Sequence, residues 1–412
     1  MKFLSTTALI LLGATALQAQ EGCGIAGPAS VRILSNDFEA LRAVNTAAMA
    51  CATADVTVEA NATTEHANIQ VPALTAEPAQ YTVAVVANDS IVALLNEGLI
   101  RPLDDLVAQY GQSLQPSQLI KIDGQTMAIA FMANAQHLAY RRDILERAGI
   151  AEPPTSYEDV LAAAEAIRSQ GIMETPFVVN NKVGWDLAEE FVNMYLGFGG
   201  DFFEPGTPNL ALDPAKAVPA LEMMRSLAAY APADNLTFDS TASSAVFSQG
   251  QAALTNMWGS RTGSFLDETV SNPEVVANTV LATAPTVGGG TIPASTIWWD
   301  GFSIAQNISD EDAAASFQAM VQGMTAGSDP ANADLAAWLV EGYQPTPAVV
   351  GVIQTAQAGA KPYPMVPWMG ILHTALGDEL ADFMQGNESA EQALSDVAAA
   401  YEAAARSQGF LQ

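Results

Sequence analysis

Along this chain short apolar runs alternate with longer stretches of helical spacing. Residues 31–34 and 83–86 read as short buried strands, and 38–52 between them has the periodicity of one helix face, ending at Cys51. Residues 155–171 give the clearest helix. Thr155 with Glu158 makes a capping box, alanine and leucine fill the body, and Gly171 closes it. Asp213 before Pro214 predicts a second start, with the acid as N-cap and the proline where no N–H is needed. Ser309 with Asp312, and Ser389 with Gln392, open two more; the last runs to Arg406 or close to it. Asp123-Gly124 predicts a turn, followed by a strand over 127–131, an irregular crossing over 132–136, a second extended segment over 137–140 and a short helix. Strands interleaved with helices predict an α/β fold with largely parallel sheets. The chain shows no internal repeat and no low-complexity linker, so its domains are not joined by one flexible tether.

Composition adds a compartment. Lys2 precedes an apolar stretch over 3–17 that is too short for a membrane span, and small residues surround Ala19. This predicts a secretory signal, residues 1–19, cleaved after Ala19. Gln20-Glu21-Gly22 ahead of Cys23 does not fit a lipoprotein box, so a soluble mature chain is expected. The two cysteines, Cys23 and Cys51, then face an oxidising compartment, which favours one disulfide over two buried thiols. Closing a loop of about 29 residues would stabilise the fold by about 3.5 kcal/mol in the chain-entropy model. The length suits two domains. Fifteen basic against 45 acidic residues leave a net charge of −30, which argues against nucleic acid and against an anionic membrane surface. Acidity of this kind keeps an exported protein soluble, or reflects a salt-adapted source.

The stretch DGQTMAIAFMANAQHLAYRRDILERAGI (123–150), followed by PPTSYEDV (153–160), resembles the extracellular solute-binding proteins of ABC importers, in the sugar-binding group that includes maltose-binding protein. FSQGQAAL (247–254), NMWGSR (256–261), GFSIAQNISDEDAAASF (301–317) and GYQPTPAVV (342–350) resemble further elements of that family in the same order, and NMWGSR with WWDGF points to its α-glucoside and polyol branch. The resemblance implies a two-lobed α/β fold with a ligand cleft between lobes and several hinge crossings, near 131–136, 297–302 and 344–347. It implies an N-terminal lobe of 20–133 plus 298–345 and a C-terminal lobe of 134–297 plus 346–412. It also implies a periplasmic, monomeric receptor that needs no cofactor and delivers a sugar, glycoside or polyol to the transmembrane permease subunits of an ABC importer.

A sugar presents apolar C–H faces and a rim of hydroxyls, so its site needs aromatic plates and planar side chains that donate and accept in fixed directions. Several of the six tryptophans sit beside such groups: Trp185 with Asp186, Trp258 three residues before Arg261, and Trp298-Trp299 with Asp300. Trp338 reads as core packing within a helix. Asn36, Asp37 and the run Asn88-Asp89-Ser90 lie in loops after strands, where α/β sheets place ligands; Asn88 through Ser90 read first as a helix N-cap. Asn134 and Gln136 lie on the first crossing, and His66 either begins a helix near the expected cleft rim or is a surface cap. Arg261 is either a bidentate clamp, for hydroxyls or for an acidic sugar derivative, or a structural ion pair. Three histidines without metal-type spacing offer no metal site, and no nucleophile elbow, phosphate loop or dinucleotide fingerprint is present. A binding protein is therefore expected. The competing readings are a receptor for a non-sugar solute, such as a quaternary amine in an aromatic cage, and a secreted carbohydrate-active enzyme with a carboxylate pair.

Overall fold

The computed structural model describes residues 21–412; the expected signal segment lies outside the described residues. Strand β1 (Ala29–Ser35) pairs in parallel with β2 (Val56–Ala62) on one side and β3 (Val83–Ala87) on the other. Next to β3 runs β9 (Thr296–Ile304), antiparallel, and next to β9 runs β5 (Gln125–Arg141). The sheet is thus mixed, with the parallel pairs confined mainly to its start.

Strand β5 organises the molecule. It is one continuous element of 17 residues, whereas the sequence suggested two extended pieces around an irregular crossing. The irregularity is a register shift against β9 between Ala130 and Met132, which turns the strand without ending it. The first part of β5 pairs with β4 (Leu119–Ile122) and with β10 (Ala337–Trp338). Its last part pairs with β7 (Leu254–Trp258) and β8 (Thr279–Ala282), and β6 (Phe177–Val178) continues beyond β7. The β4–β5 turn carries Asp123 at φ 49° and Gly124 at φ 83°. Two consecutive left-handed residues match the right-handed twist of the strands they join.

Burial splits accordingly into two lobes. One core gathers Val31, Val44, Val83, Phe131, Phe302 and Phe317. The other gathers Leu138, Phe177, Phe191, Leu221, Leu372 and Tyr401. Both use β5, so the lobes share a strand.

Helix starts follow the local chemistry. Asp213, Ser309 and Ser389 cap helices that begin at Pro214, Asp310 and Ala390, each accepting from a backbone N–H. The clearest helix is Tyr157–Ser169, and its capping box is Ser156 with Asp159, one residue later than the sequence suggested. Thr155 instead hands its N–H and hydroxyl to the same Asp159 carboxylate. The first helix is Glu39–Met49, ending just before Cys51, which is bonded to Cys23. Trp338 lies in β10 rather than in a helix. It is buried, its indole N–H bonds to the Asn332 carbonyl, and its ring covers Gly327 so closely that a Cβ there would come within 2.6 Å.

Candidate functional site

The helix Trp185–Gly197 begins where the chain needs an unusual backbone. Gly184, its N-cap, sits at φ 102°, a conformation open to glycine and costly for other residues. Gly377, in the helix Met369–Met384, packs on Gly184 so tightly that a Cβ would lie 2.5 Å from the Gly184 carbonyl. The two glycines bring the helices into contact and aim Trp185 outward, 41% exposed although it is a large apolar side chain.

Trp185 meets two tryptophans from other elements. Its ring centroid lies 6.2 Å from Trp258, at the end of β7, and 5.5 Å from Trp298, in β9, while Trp258 and Trp298 are 5.8 Å apart. Tyr363 packs on Trp298 with centroids 4.3 Å apart and His373 on Trp185 at 5.1 Å, each ring tilted to its neighbour. Three residues picked from sequence for their polar neighbours therefore form one aromatic wall. Its hydrocarbon faces suit the C–H face of a ring or polyol.

Behind the wall is a buried polar layer. Glu189 Oε1 accepts from the Thr296 hydroxyl at 2.6 Å and from the Trp298 indole at 3.1 Å. Glu190 Oε1 accepts from Gln136 at 2.8 Å and Asn180 at 3.4 Å, and Gln136 accepts from Asn256 at 2.9 Å. Burial pushes both carboxyls up, Glu190 to about 8 and Glu189 well above the usual carboxylate range. Gln136, expected to face the cleft, is 1% exposed and its amide is committed to this layer.

The facing lobe supplies charge. Trp185 Nε1 donates to Asp89 Oδ2 at 3.0 Å; Asp89 follows β3 and also caps the helix Ser90–Asn96. In the ladder Asp300 stands opposite Ala87 on β3 and Met132 on β5, and burial and then Asp89 raise it to about 7. Asp186 is also raised to about 7, by burial first and by Asp239 second. Arg261 holds its guanidinium carbon 5.5 Å from the Phe38 ring of the other lobe and forms no ion pair among the described residues; burial is the main influence lowering it. Asp37 is bonded to Arg42 at 2.6 Å, which lowers the carboxyl, and its backbone N–H is held by the Asn36 side chain. His66 begins its helix as expected, half-buried and lowered by that burial, within the field of Asp89.

Other picks have structural partners. Asn88 accepts from the Trp299 backbone N–H at 2.8 Å, pinning β9. Asn134 bonds Ser260 at 3.1 Å, tying β5 to the turn that carries Arg261. Trp299 packs against the first-lobe cluster that includes Ile91 and Val86, on the opposite side of β9 from Trp298. Asp89, in the loop expected either to face the ligand or to cap a helix, caps the helix and also meets Trp185; Glu189, Glu190, Tyr363 and His373 carry no expectation from the sequence, where the Glu-Glu pair inside an apolar helix is the visible signal. A separate cavity of about 730 Å³ in the second lobe, lined by Phe203, Lys216, Lys361 and Trp368 among others, contains none of the picked residues.

The architecture has counterparts. Maltose-bound MalE3 of T. maritima superposes with a TM-score of 0.78 at 18% identity, covering 91% of this chain and 99% of that one. An ABC transporter solute-binding protein from Agrobacterium radiobacter K84, in complex with ribitol, gives 0.77 at 21% over 90% and 97%. One from Agrobacterium vitis S4, with bound D-mannitol, gives 0.76 at 17% over 92% and 99%. These likenesses show the two-lobed periplasmic-binding-protein fold. A protein of Brucella abortus (strain 2308) named as a binding protein is 27% identical over 94 residues, which is 21% of this chain and only 22% of that relative. The family model described as bacterial extracellular solute-binding protein matches residues 36–327, a span that takes in the shared strand, the aromatic wall and Arg261. With that match across most of its length, and two lobes meeting at an aromatic wall, the chain belongs to the bacterial extracellular solute-binding proteins.

Proposed function

We propose that this protein is the periplasmic receptor of an ABC importer, that it binds a sugar, glycoside or polyol between its lobes, and that it delivers the ligand to the membrane permease subunits as a monomer. The observation that carries the reading is the tryptophan trio of the second lobe set against unpaired polar groups from both: Asp186, Arg261 and Asp300. Ligands named for the similar structures, maltose, ribitol and D-mannitol, share the same chemistry of C–H faces and hydroxyls. Trp185, Trp258 and Trp298 stack on the ligand in this reading, and Arg261, Asp186 and Asp300 hydrogen-bond to it. A ligand touching both lobes favours the closed state by its differential affinity, and the permease reads closure. In this reading the lobes comprise 20–133 with 298–345, and 134–297 with 346–412, with Trp298, at that boundary, packed in the core of the second.

The test is a thermal-shift screen of the mature chain against sugars, glycosides, polyols, sugar acids and betaines. A ligand of the native state raises the midpoint with concentration over Kd. A concentration-dependent rise with a hydroxylated ligand is expected. Silence across all of them, or a rise with a betaine alone, sinks the carbohydrate assignment.

A further inference from the structure

We infer that the ligand carries a basic nitrogen, held where Asp186 and Glu190 meet beneath Trp185, so that this receptor takes an amino sugar or amino polyol; the inference rests on the sugar reading above. Asp186 and Glu190 are four residues apart in the helix Trp185–Gly197 and share one face of its first turns. Glu190 is 5% exposed, yet only one of its oxygens is used. Oε1 takes both Gln136 and Asn180, while Oε2 has no protein partner and is not sealed from the surface. Asp186, one helical turn earlier, is the charged neighbour that adds to burial in raising Glu190. Asp186 forms no ion pair among the described residues. Lys182 and Arg261 act on it from a distance, Lys182 being bonded to Asp239 at 3.6 Å.

The surroundings repeat the pattern. Asp89 acts on Asp300, Asp239 on Asp186, and Asp239, Glu39 and Asp37 on Arg261. A neutral polyol brings no charge to offset the mutual repulsion of Asp186, partly exposed, and Glu190, buried. An ammonium satisfies both, and the exposed ring of Trp185 beside it offers the face that attracts cations. Arg261, near Phe38, remains available for hydroxyls at the other end.

The experiment compares matched pairs by titration calorimetry at pH 7.5: N-methyl-D-glucamine with sorbitol, and glucosamine with glucose, with choline as a non-sugar cation. The amine of a pair is expected to bind at least about tenfold tighter than its hydroxyl partner. It should also release protons, read as a binding heat that changes with the buffer's ionisation enthalpy, because the carboxyls must ionise to meet it. Asp186→Asn should bring the pair within about threefold at unchanged melting temperature, and Glu190→Gln should reduce the proton release by the larger share. A hydroxyl partner that binds as tightly as its amine overturns the inference and leaves the sugar receptor standing. Choline binding without any sugar or polyol upholds the cation site and overturns the sugar reading. Silence from every probe overturns both.

Discussion

Trp185 and Asp89 join the two lobes through one hydrogen bond, indole N–H to carboxylate at 3.0 Å. Each member also has a second duty: Asp89 caps the helix after β3, and Trp185 forms the outer plate of the aromatic wall. Trp185→Ala is expected to weaken the ligand found by screening about five- to thirtyfold, since a stacking plate with about 1–2 kcal/mol of contact is lost. The melting temperature should move by no more than a few degrees, because the side chain is 41% exposed. Trp185→Phe keeps a plate and loses the bond to Asp89, so it should fall between. Calorimetric titration beside a melting scan checks this, and unchanged affinity in Trp185→Ala removes the residue from the site.

Among the described residues Arg261 is a cation without an ion pair, in a chain of 45 acids. A structural arginine in such a chain would have found a carboxylate. We expect Arg261→Ala to lose at least about tenfold in affinity with little loss of stability, and Arg261→Lys to recover only part, because a compact ammonium cannot reproduce a planar fork. If the alanine variant instead melts many degrees lower with affinity intact, Arg261 is there for packing on Phe38.

The features legible in the sequence were those whose cause is local. Ser309, Ser389 and Asp213 announce their helices because the cap bond spans two or three residues. Trp185, Trp258 and Trp298 stood out because each has a polar neighbour in sequence, and they converge in space. Gln136 and Asn88 misled for the opposite reason. Their partners, Asn256 and the Trp299 backbone, lie 120 and 211 residues away, so nothing near them shows that the amides are used. Glu189 and Glu190 were overlooked because acids in a helix usually mark its solvated face; here the whole run from Leu187 to Gly197 is buried.

Cys23 and Cys51 are bonded and close a loop with a sequence separation of 28. Replacing Cys23 by serine and Cys51 by alanine should cost about 3.5 kcal/mol through the regained freedom of the unfolded chain. Alanine suits position 51, which is fully buried against the first lobe. The readout is the denaturant midpoint of the variant against that of the oxidised and reduced parent. A midpoint equal to the oxidised parent's would show that the loop is already ordered when unfolded. Ligand affinity should be unaffected, since neither cysteine is among the residues around the aromatic wall.

Stability should decline as pH rises above neutral, and Glu190 should account for part of it. Burial holds Glu190 protonated to about 8, Glu189 beyond the usual range, and Asp186 and Asp300 to about 7. In the unfolded chain these groups lose their protons at 4.5 for glutamate and 3.8 for aspartate. Between those limits the folded state binds more protons than the unfolded one, so stability falls as pH rises through the window. His137 and His373 act in the other direction. Burial keeps both neutral down to about 4 against 6.5 when unfolded, so their contribution rises with pH over that interval and then ends. The opposed slopes overlap below 6.5. From 6.5 to about 8 the carboxyl contribution stands alone, and the self-repulsion of a chain carrying −30 has the same sign. The melting temperature should therefore drop across that range. Glu190→Gln keeps the acceptor that Gln136 and Asn180 need, and removes the ionisation. Its melting temperature should fall less steeply with pH than the parent's. Equal slopes would mean that Glu190 is already ionised in the folded protein at pH 6.5.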